Sequence, residues 1–312
     1  ESTSTVNLGL DFSLLKDRFT GSLDVYSSKT NDLLLYRSIP NILGFTGITQ
    51  NIGNTANQGV EFSITSFNIS KTDFSWSTQA AVSYNQNEIV SLVGEEDILS
   101  DRLFIGQPIN VNFGYVFDGV WQIGDDIANS AQPDAEPGYV KIRDVNGDGA
   151  ITSDDRIIQG QRDPKYLFSL ANTFSYKNFS LYAFLQGQSG SKRFNPLTRD
   201  NVYTETQRNT TKKNWWTPDN PTNEHWANDE DANALGLQRL ESDAFLRLKT
   251  VTLSYSLTQE WLWKRGITEL KFNVSAENLL TITEWTGLDP EFGSQRSVPL
   301  TRNFLFGATL SF

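Results

Sequence analysis

Apolar and polar side chains alternate along much of the chain. A period of two places successive side chains on opposite faces of a β-strand. The pattern predicts about nine strands of roughly ten residues each, a length that suits a tilted strand crossing a membrane. The predicted strands begin near Val6, Phe19, Val60, Phe74, Tyr166, Phe179, Val251, Leu270 and Phe304.

The connections between the predicted strands alternate between short and long. The short ones cover residues 15–17, 70–72, 177–178 and 259–266, and the long ones cover 29–58, 87–165, 188–244 and 279–302. Outer-membrane barrels sort their connections in this way, because periplasmic turns are short and extracellular loops are long. We therefore expect an all-β fold, an antiparallel transmembrane β-barrel with long extracellular loops and its C-terminus on the periplasmic side.

The direction of the first strand suggests a barrel segment rather than a closed barrel. A short turn follows the first strand, so that strand is expected to run from the cell surface toward the periplasm. Single-chain bacterial barrels have an even number of strands, and an open edge in lipid leaves unpaired backbone groups that cost several kcal/mol each. About nine strands are therefore expected to belong to a larger barrel, whose other strands precede Glu1.

The final segment, Asn303 to Phe312, alternates without interruption and ends on an aromatic residue. We expect Phe312 to act as a signal for barrel assembly. An ordinary edge strand that happens to end in Phe is the alternative.

Composition narrows the class of protein. The chain of 312 residues has 20 Phe, 10 Tyr and 8 Trp but no Cys, which suits strands and removes disulfides and thiol nucleophiles. It lacks the run of roughly 20 apolar residues that a membrane-spanning helix needs. A net charge of −11 argues against nucleic-acid binding, which depends on clustered Lys and Arg.

A series of short motifs spans nearly the whole chain in order. They are Asn7–Asp11, Gly21–Tyr26, Asn51–Asn54, Asn57–Glu61, Gly114–Val120, Asp144–Gly149, Asn214–Pro221, Phe245–Lys249, Glu277–Thr283 and Gly287–Glu291. Together they resemble the barrel of the SusC-like TonB-dependent transporters. The sequence Thr222–Trp226 departs from the family's usual Pro-Arg continuation, which leaves the substrate open.

The resemblance implies a plugged barrel of about 22 strands, of which residues 1–312 would be the C-terminal part. Such proteins import bulky nutrients, oligosaccharides or peptides, across the bacterial outer membrane. They draw energy from the TonB complex and pair with a SusD-like surface lipoprotein that acts as a lid. The family's plug and TonB-contacting segment are not in this chain, and no enzymatic activity is expected.

Residues 144–155 have the ligand spacing of an EF-hand loop. Asp144, Asn146 and Asp148 take positions 1, 3 and 5, the main-chain carbonyl of Ala150 takes position 7, and Asp155 takes position 12. Hard oxygen ligands suit Ca²⁺, so the spacing predicts a structural calcium site within the 87–165 loop. Asp155 replaces the usual Glu and no helix pattern flanks the loop, so a metal-free turn rich in Asp and Asn is the alternative.

Aromatic residues cluster in the 188–244 loop. Trp215, Trp216, Trp226 and the single His225 are candidates for contact with substrate or partner, because aromatic faces stack on sugar rings and peptide side chains. The alternative is that they form the core of a folded loop or contact a lid protein. A catalytic role for His225 is rejected, since no nucleophile motif accompanies it.

The alternating pattern also predicts where each strand faces. Polar residues Asn7, Gly9, Asp11, Ser63, Thr65, Ser77, Gln79, Asn273 and Ser275 would line a lumen. Aromatic girdles at the membrane interfaces are predicted from Trp76, Tyr84, Tyr176, Tyr182, Trp261, Trp263 and Trp285.

Two other functions remain as alternatives. One is a soluble or surface β-sandwich that binds or adheres and carries a calcium loop. The other is a passive, porin-like barrel. A glycoside hydrolase on an all-β fold is disfavoured, because no pair of acid and base carboxylates stands out.

Overall fold

The computed structural model describes every residue except 40, 41, 43, 196–211, 228–235, 238, 292–297 and 299. Parts of the predicted 188–244 and 279–302 loops therefore lie outside the described residues. The strands are β1 (Ser2–Leu14), β2 (Phe19–Ser38), β3 (Gly47–Ser70), β4 (Phe74–Leu92), β5 (Val111–Gly114), β6 (Phe117–Val120), β7 (Val140–Ile142), β8 (Ile157–Gln161), β9 (Tyr166–Tyr176), β10 (Phe179–Ser189), β11 (Lys192–Phe194), β12 (Leu240–Ser242), β13 (Phe245–Leu257), β14 (Glu269–Thr283) and β15 (Asn303–Ser311).

Nine of these strands form one sheet in the order β1-β2-β3-β4-β9-β10-β13-β14-β15. Every pairing in the sheet is antiparallel, so the chain winds up and down without a crossover. The predicted antiparallel all-β class and the number of long strands are confirmed. In the described part of the chain, β1 and β15 each pair on one side only.

The strand register sorts the side chains onto two faces. Leu23 lies opposite Phe62, Phe62 opposite Val82, and Val82 opposite Phe168, which makes one apolar row across four strands. On the other face Asp24 lies opposite Glu61, and Glu61 opposite Ser83. Large apolar side chains of the first face remain exposed, for example Leu8 at 77% and Phe306 at 79%.

An exposed apolar face backed by a polar face is the arrangement of a strand layer between lipid and an aqueous lumen. The register places every predicted lumen residue on the polar face: Asn7, Gly9, Asp11, Ser63, Thr65, Ser77, Gln79, Asn273 and Ser275.

The predicted long connection at residues 29–58 is mostly strand. The β2–β3 ladder continues until Ser38 pairs with Gly47, after a register shift between Thr30 and Leu33. Beyond the apolar band neither face of the hairpin is uniformly apolar, so the period-two signal fades although the hydrogen bonds continue. The fourth strand similarly runs on to Leu92, past the predicted loop start at residue 87.

The predicted aromatic girdle is only partly correct. Trp76 stacks on Phe174 of the apolar face with ring centroids 5.5 Å apart, and Tyr84 packs against Tyr166 at 5.1 Å. Tyr182 instead lies opposite Thr173 and Thr252 on the polar face, because it is one residue out of phase with Leu181. Trp285 is buried in a loop at 6% exposure.

The predicted turn at residues 259–266 contains the short helix α1 (Glu260–Trp263). Its Leu262 is buried, whereas Trp261 and Trp263 are half-exposed, as expected of aromatics at a membrane interface. None of the helices in the described residues has the length and hydropathy to cross a bilayer.

Replacement of Leu253 by Arg tests which face meets lipid. Leu253 lies between Leu181 and Val274 in the apolar band, where a charge near the bilayer midplane costs about 2–4 kcal/mol. We expect Leu253→Arg to lower the free energy of unfolding by about that amount in lipid vesicles, measured by denaturant titration. The matched control Ser254→Arg changes the neighbouring residue on the polar face and should cost much less. Equal losses in the two variants would contradict the assignment of faces.

Candidate functional site

A cleft of about 580 Å³ opens on the polar face of the sheet. One wall carries the carboxylates of Asp24 on β2 and Glu61 on β3. The opposite wall is formed by Phe245 and by Glu291, which belongs to the β14–β15 loop. Hydroxyl and amide side chains line the floor: Ser22, Ser63, Ser83, Ser169, Gln186 and Gln188. The cleft therefore carries several carboxylates and hydroxyls beside apolar residues that include Leu167 and Phe184.

A buried arginine connects the sheet to the β14–β15 loop. Arg247 on β13 is fully buried, and its Nη2 donates to Asp289 Oδ2 at 2.8 Å. Its Nη1 donates to the Glu291 carboxylate, and its Nε donates to Thr281 Oγ1 on β14 at 3.0 Å. Since a buried charge is costly unless it is paired and hydrogen-bonded, these partners are what allow the guanidinium to remain inside.

A second polar cluster lies beside Arg247. Asp243 is fully buried, accepts a hydrogen bond from Ser191 Oγ at 2.5 Å and pairs with Arg193 Nε at 2.9 Å. The same Arg193 donates through Nη1 to the Glu291 main-chain carbonyl at 3.4 Å. Two arginines from different strands, Arg193 on β11 and Arg247 on β13, therefore hold one short segment of the β14–β15 loop.

The two largest loops fold together into an outer subdomain, defined here as residues 93–165 and 212–227. Its core contains Val120, Val140 and Ile142 from one loop and Trp216 and Trp226 from the other. The Trp216 indole N–H donates to Gln122 Oε1 at 2.9 Å, and the Ala227 main-chain N–H donates to the Gly138 carbonyl at 2.8 Å. A side chain at position 138 would lie 2.5 Å from the Trp216 ring, so this contact between the loops requires glycine.

The aromatic residues predicted to contact a ligand occupy two different environments. Trp216 and Trp226 are 7% and 4% exposed, so their rings serve the core of the outer subdomain and offer no free face for stacking. Trp215 is half-buried and packs against His225 with centroids 5.9 Å apart, and Lys213 lies over its ring. Contact with substrate or partner therefore stays a prediction for Trp215 and His225.

The EF-hand-like loop is closed by hydrogen bonds from its own backbone. Asp144 accepts from the N–H groups of Gly147 at 2.7 Å and Gly149 at 2.9 Å, and Asp148 accepts from Ala150 at 2.9 Å. Asp155 is fully buried and accepts from Val145 and Thr152. The hydrogen bond from the Thr152 main-chain N–H is the main reason why the pKa of Asp155 lies below its usual value.

The loop does not gather its acids tightly around one point. The described residues hold no group of three or more His, Cys, Asp or Glu side chains placed to share a metal ion. The predicted set also includes Asn146 and the Ala150 carbonyl, so a ligand set of hard oxygens is present. The calcium prediction stays a prediction.

Known proteins are similar over the whole chain. This chain is 32% identical to TonB-dependent receptor P3 of Formosa agariphila, and the alignment covers 100% of this chain. It is 31% identical to TonB-dependent receptor SusC of Bacteroides thetaiotaomicron, again over 100% of this chain. The chain belongs to the SusC-like TonB-dependent receptors. It spans about a third of these relatives, 34% of P3 and 32% of SusC. No family model matches it.

Solved structures support the same SusC-like assignment. The fold superimposes on the RagAB peptide transporter with a TM-score of 0.78 at 26% identity, over 99% of this chain and 35% of that one. The RagAB peptide importer in its open-open state gives a TM-score of 0.76 at 25% identity, over 99% of this chain and 34% of that one. The predicted outer-membrane location is confirmed, and the relatives are receptors and transporters rather than enzymes.

The arginine cluster was missed as a site by sequence reasoning. Arg247 stands in the Phe245–Lys249 motif, and Asp289 and Glu291 stand in the Gly287–Glu291 motif, but neither motif by itself predicts that the two segments are in contact. A charged residue at a polar-face position of a strand, followed by two acids in the next long loop, is the only signal that the sequence offered.

Replacement of Trp216 by Ala tests whether the two loops share one core. Removing a buried Trp side chain costs about 3–5 kcal/mol, and we expect a loss of that order in the stability of the outer subdomain. Hydrogen exchange of residues 117–142 would measure it, because these residues lie in the partner loop. The matched variant Trp215→Ala removes a half-buried ring next in sequence and should have a clearly smaller effect. Unchanged exchange in Trp216→Ala would contradict the shared core.

Proposed function

We propose that this SusC-like chain forms part of the barrel wall of an active importer of bulky nutrients in the bacterial outer membrane. The observation that carries the proposal is the two-sided sheet, whose apolar face suits lipid while its other face bears a cleft lined by carboxylates and hydroxyls. Such a wall lets polar cargo pass on one side without contact with lipid.

The free edges of the sheet support a larger barrel. In the described part of the chain, β1 and β15 are each paired on one side, and free N–H and C=O groups cannot remain unpaired within a bilayer. Further strands of a longer polypeptide would pair there and close the barrel. The relatives, about three times as long as this chain, have room for them.

The substrate class that we propose is oligosaccharide or peptide. The RagAB neighbours are named as peptide transporter and peptide importer. In this chain, the carboxylates of the cleft accept hydrogen bonds from hydroxyl or ammonium groups, and its serines and glutamines both donate and accept. Phe245, Phe184 and Leu167 add apolar surface. This combination suits a hydroxyl-rich or amide-rich cargo better than an apolar one.

The partners that we propose follow from the family. A SusD-like surface lipoprotein would cover the outer end, where the outer subdomain and the β2–β3 hairpin project beyond the apolar band. The TonB complex would supply energy through a part of the longer protein that lies outside this chain.

An uptake assay with the full-length parent protein tests this function. Cells that express it are given fluorescent oligosaccharides and oligopeptides, with and without a protonophore that removes the energy source of TonB. We expect uptake of one class, and its loss to background with the protonophore. Uptake that persists without energy would favour a passive porin, and no uptake of either class would contradict the proposed cargo.

We also propose that residues 144–155 bind Ca²⁺ as a structural staple of the outer subdomain. The proposal is supported by the EF-hand spacing and by the positive φ angles of Gly147 (75°) and Gly149 (81°), which allow the tight turn. The ion would be held by Asp144, Asn146, Asp148, the Ala150 carbonyl and Asp155.

Calcium titration followed by thermal unfolding tests the staple. A ligand at about 100 times its Kd stabilises the folded state by about 2.7 kcal/mol, so the unfolding temperature should rise with Ca²⁺ and fall with a chelator. Asp148→Asn should weaken the response. Asp126→Asn is the matched control, since Asp126 pairs with Asn129 outside the loop. An unfolding temperature independent of Ca²⁺ would support the metal-free turn.

A further inference from the structure

The β14–β15 loop begins with a segment that folds inward, which we call the strap (Trp285–Glu291). Glu241 on β12 accepts from the Thr286 main-chain N–H at 2.9 Å, and Asn195 Nδ2 donates to Thr286 Oγ1, also at 2.9 Å. At the far end, Arg247 binds the side chains of Asp289 and Glu291. The strap is therefore held at both ends, and its last residue forms part of the cleft wall.

The two acids of the strap have different environments. The Asp289 side chain is 8% exposed, whereas that of Glu291 is 33% exposed and lines the cleft. Asp289 Oδ1 also accepts from the Glu291 main-chain N–H at 2.9 Å, which fixes the backbone on which Glu291 stands. Asp289 thus anchors the strap, while Glu291 lines the same cleft as Asp24 and Glu61.

We propose that Arg247 is a positioning residue that pins the strap and thereby holds the Glu291 carboxylate in the cleft wall, giving the passage a preference for cationic over anionic groups. The inference rests on the proposed import function, because the cleft would be part of the path that cargo follows. Arg247 itself is fully buried and meets no cargo. It acts through the position of the strap.

The pairing of charges explains why the contacts between Arg247 and the strap are strong and specific. Arg247 offers a planar fork that matches carboxylates, and Asp289, Glu291 and Thr281 occupy its Nη2, Nη1 and Nε atoms. A lysine would keep the charge but not this geometry. Removal of Arg247 leaves the buried Asp289 without its charged partner, so the strap should leave the wall. Removal of the Asp289 charge leaves Arg247 with Glu291 alone and weakens the anchor of the strap.

Cysteine labelling of the full-length protein tests the charge preference without requiring transport. The chain has no cysteine, and any cysteine elsewhere in the full-length protein is first replaced by Ser. Ser83→Cys then places a thiol on the cleft floor, where its reaction rates with a cationic and an anionic methanethiosulfonate reagent are compared. We expect faster reaction with the cationic reagent. Glu291→Gln should reduce the ratio of rates several-fold, and so should Asp289→Asn and Arg247→Met.

A nitroxide at position 288 reports the strap itself. Leu288 is exposed, so Leu288→Cys can be labelled without loss of core packing. We expect its mobility to rise in Arg247→Met and Asp289→Asn, to rise less in Arg247→Lys, and to stay unchanged in Glu291→Gln. Arg265→Met, which removes an exposed arginine in the turn that follows the other end of β13, is the matched control and should alter neither readout.

The outcomes distinguish the proposed role of Arg247 in holding the strap from a general role in folding. They also test that role separately from the import function. If Arg247→Met does not assemble, Asp289→Asn decides by itself. Unchanged mobility and rate ratio in Asp289→Asn would overturn the proposal, as would a thiol at position 83 that reacts equally with both reagents in the parent. A protein that imports neither oligosaccharides nor peptides but shows the expected labelling pattern would contradict the proposed function. The role of Arg247 in holding the strap would still be supported.

Discussion

The continuous antiparallel hydrogen-bond ladder is the interaction on which the rest of this structure depends. Within a bilayer no water is available to satisfy backbone N–H and C=O groups, so each strand must be paired with its neighbours. The sheet meets this demand by joining strands in sequence order, with two long insertions that leave the ladder unbroken. Once the ladder is fixed, each side chain has only two directions, toward lipid or toward the polar side.

The membrane therefore replaces the hydrophobic core of an ordinary domain. Large apolar side chains on the sheet are exposed to the surroundings, whereas buried apolar clusters occur in the loops and at the ends of strands. The outer subdomain is the main exception to this rule, since it packs Trp216 and Trp226 as a soluble domain would. The chain thus combines a wall stabilised by lipid with a loop domain stabilised by its own interior.

Polar contacts then determine how the loops meet the wall. Arg247 is buried on the polar face and pairs with acids 42 and 44 residues farther along the chain. A buried ion pair contributes little net stability compared with apolar packing, but it requires one specific arrangement of its partners. In this chain these contacts fix the start of the β14–β15 loop beside the cleft.

The sequence by itself determined the nine long strands, their faces and the alternation of short and long connections. Alternation of apolar and polar residues is a local pattern, and it stays regular wherever one face of a strand meets lipid. The sequence is less informative where lipid is absent, because the extension of β2 and β3 beyond the apolar band has no strict alternation and predicts a loop. The predicted girdle position of Tyr182 is wrong, since this residue lies on the polar face. Only the tertiary structure decided that two distant loops share one core, and that Arg247 meets Asp289 and Glu291. These contacts join residues far apart in the chain, and their side chains follow no periodic pattern, so no local spacing could reveal them.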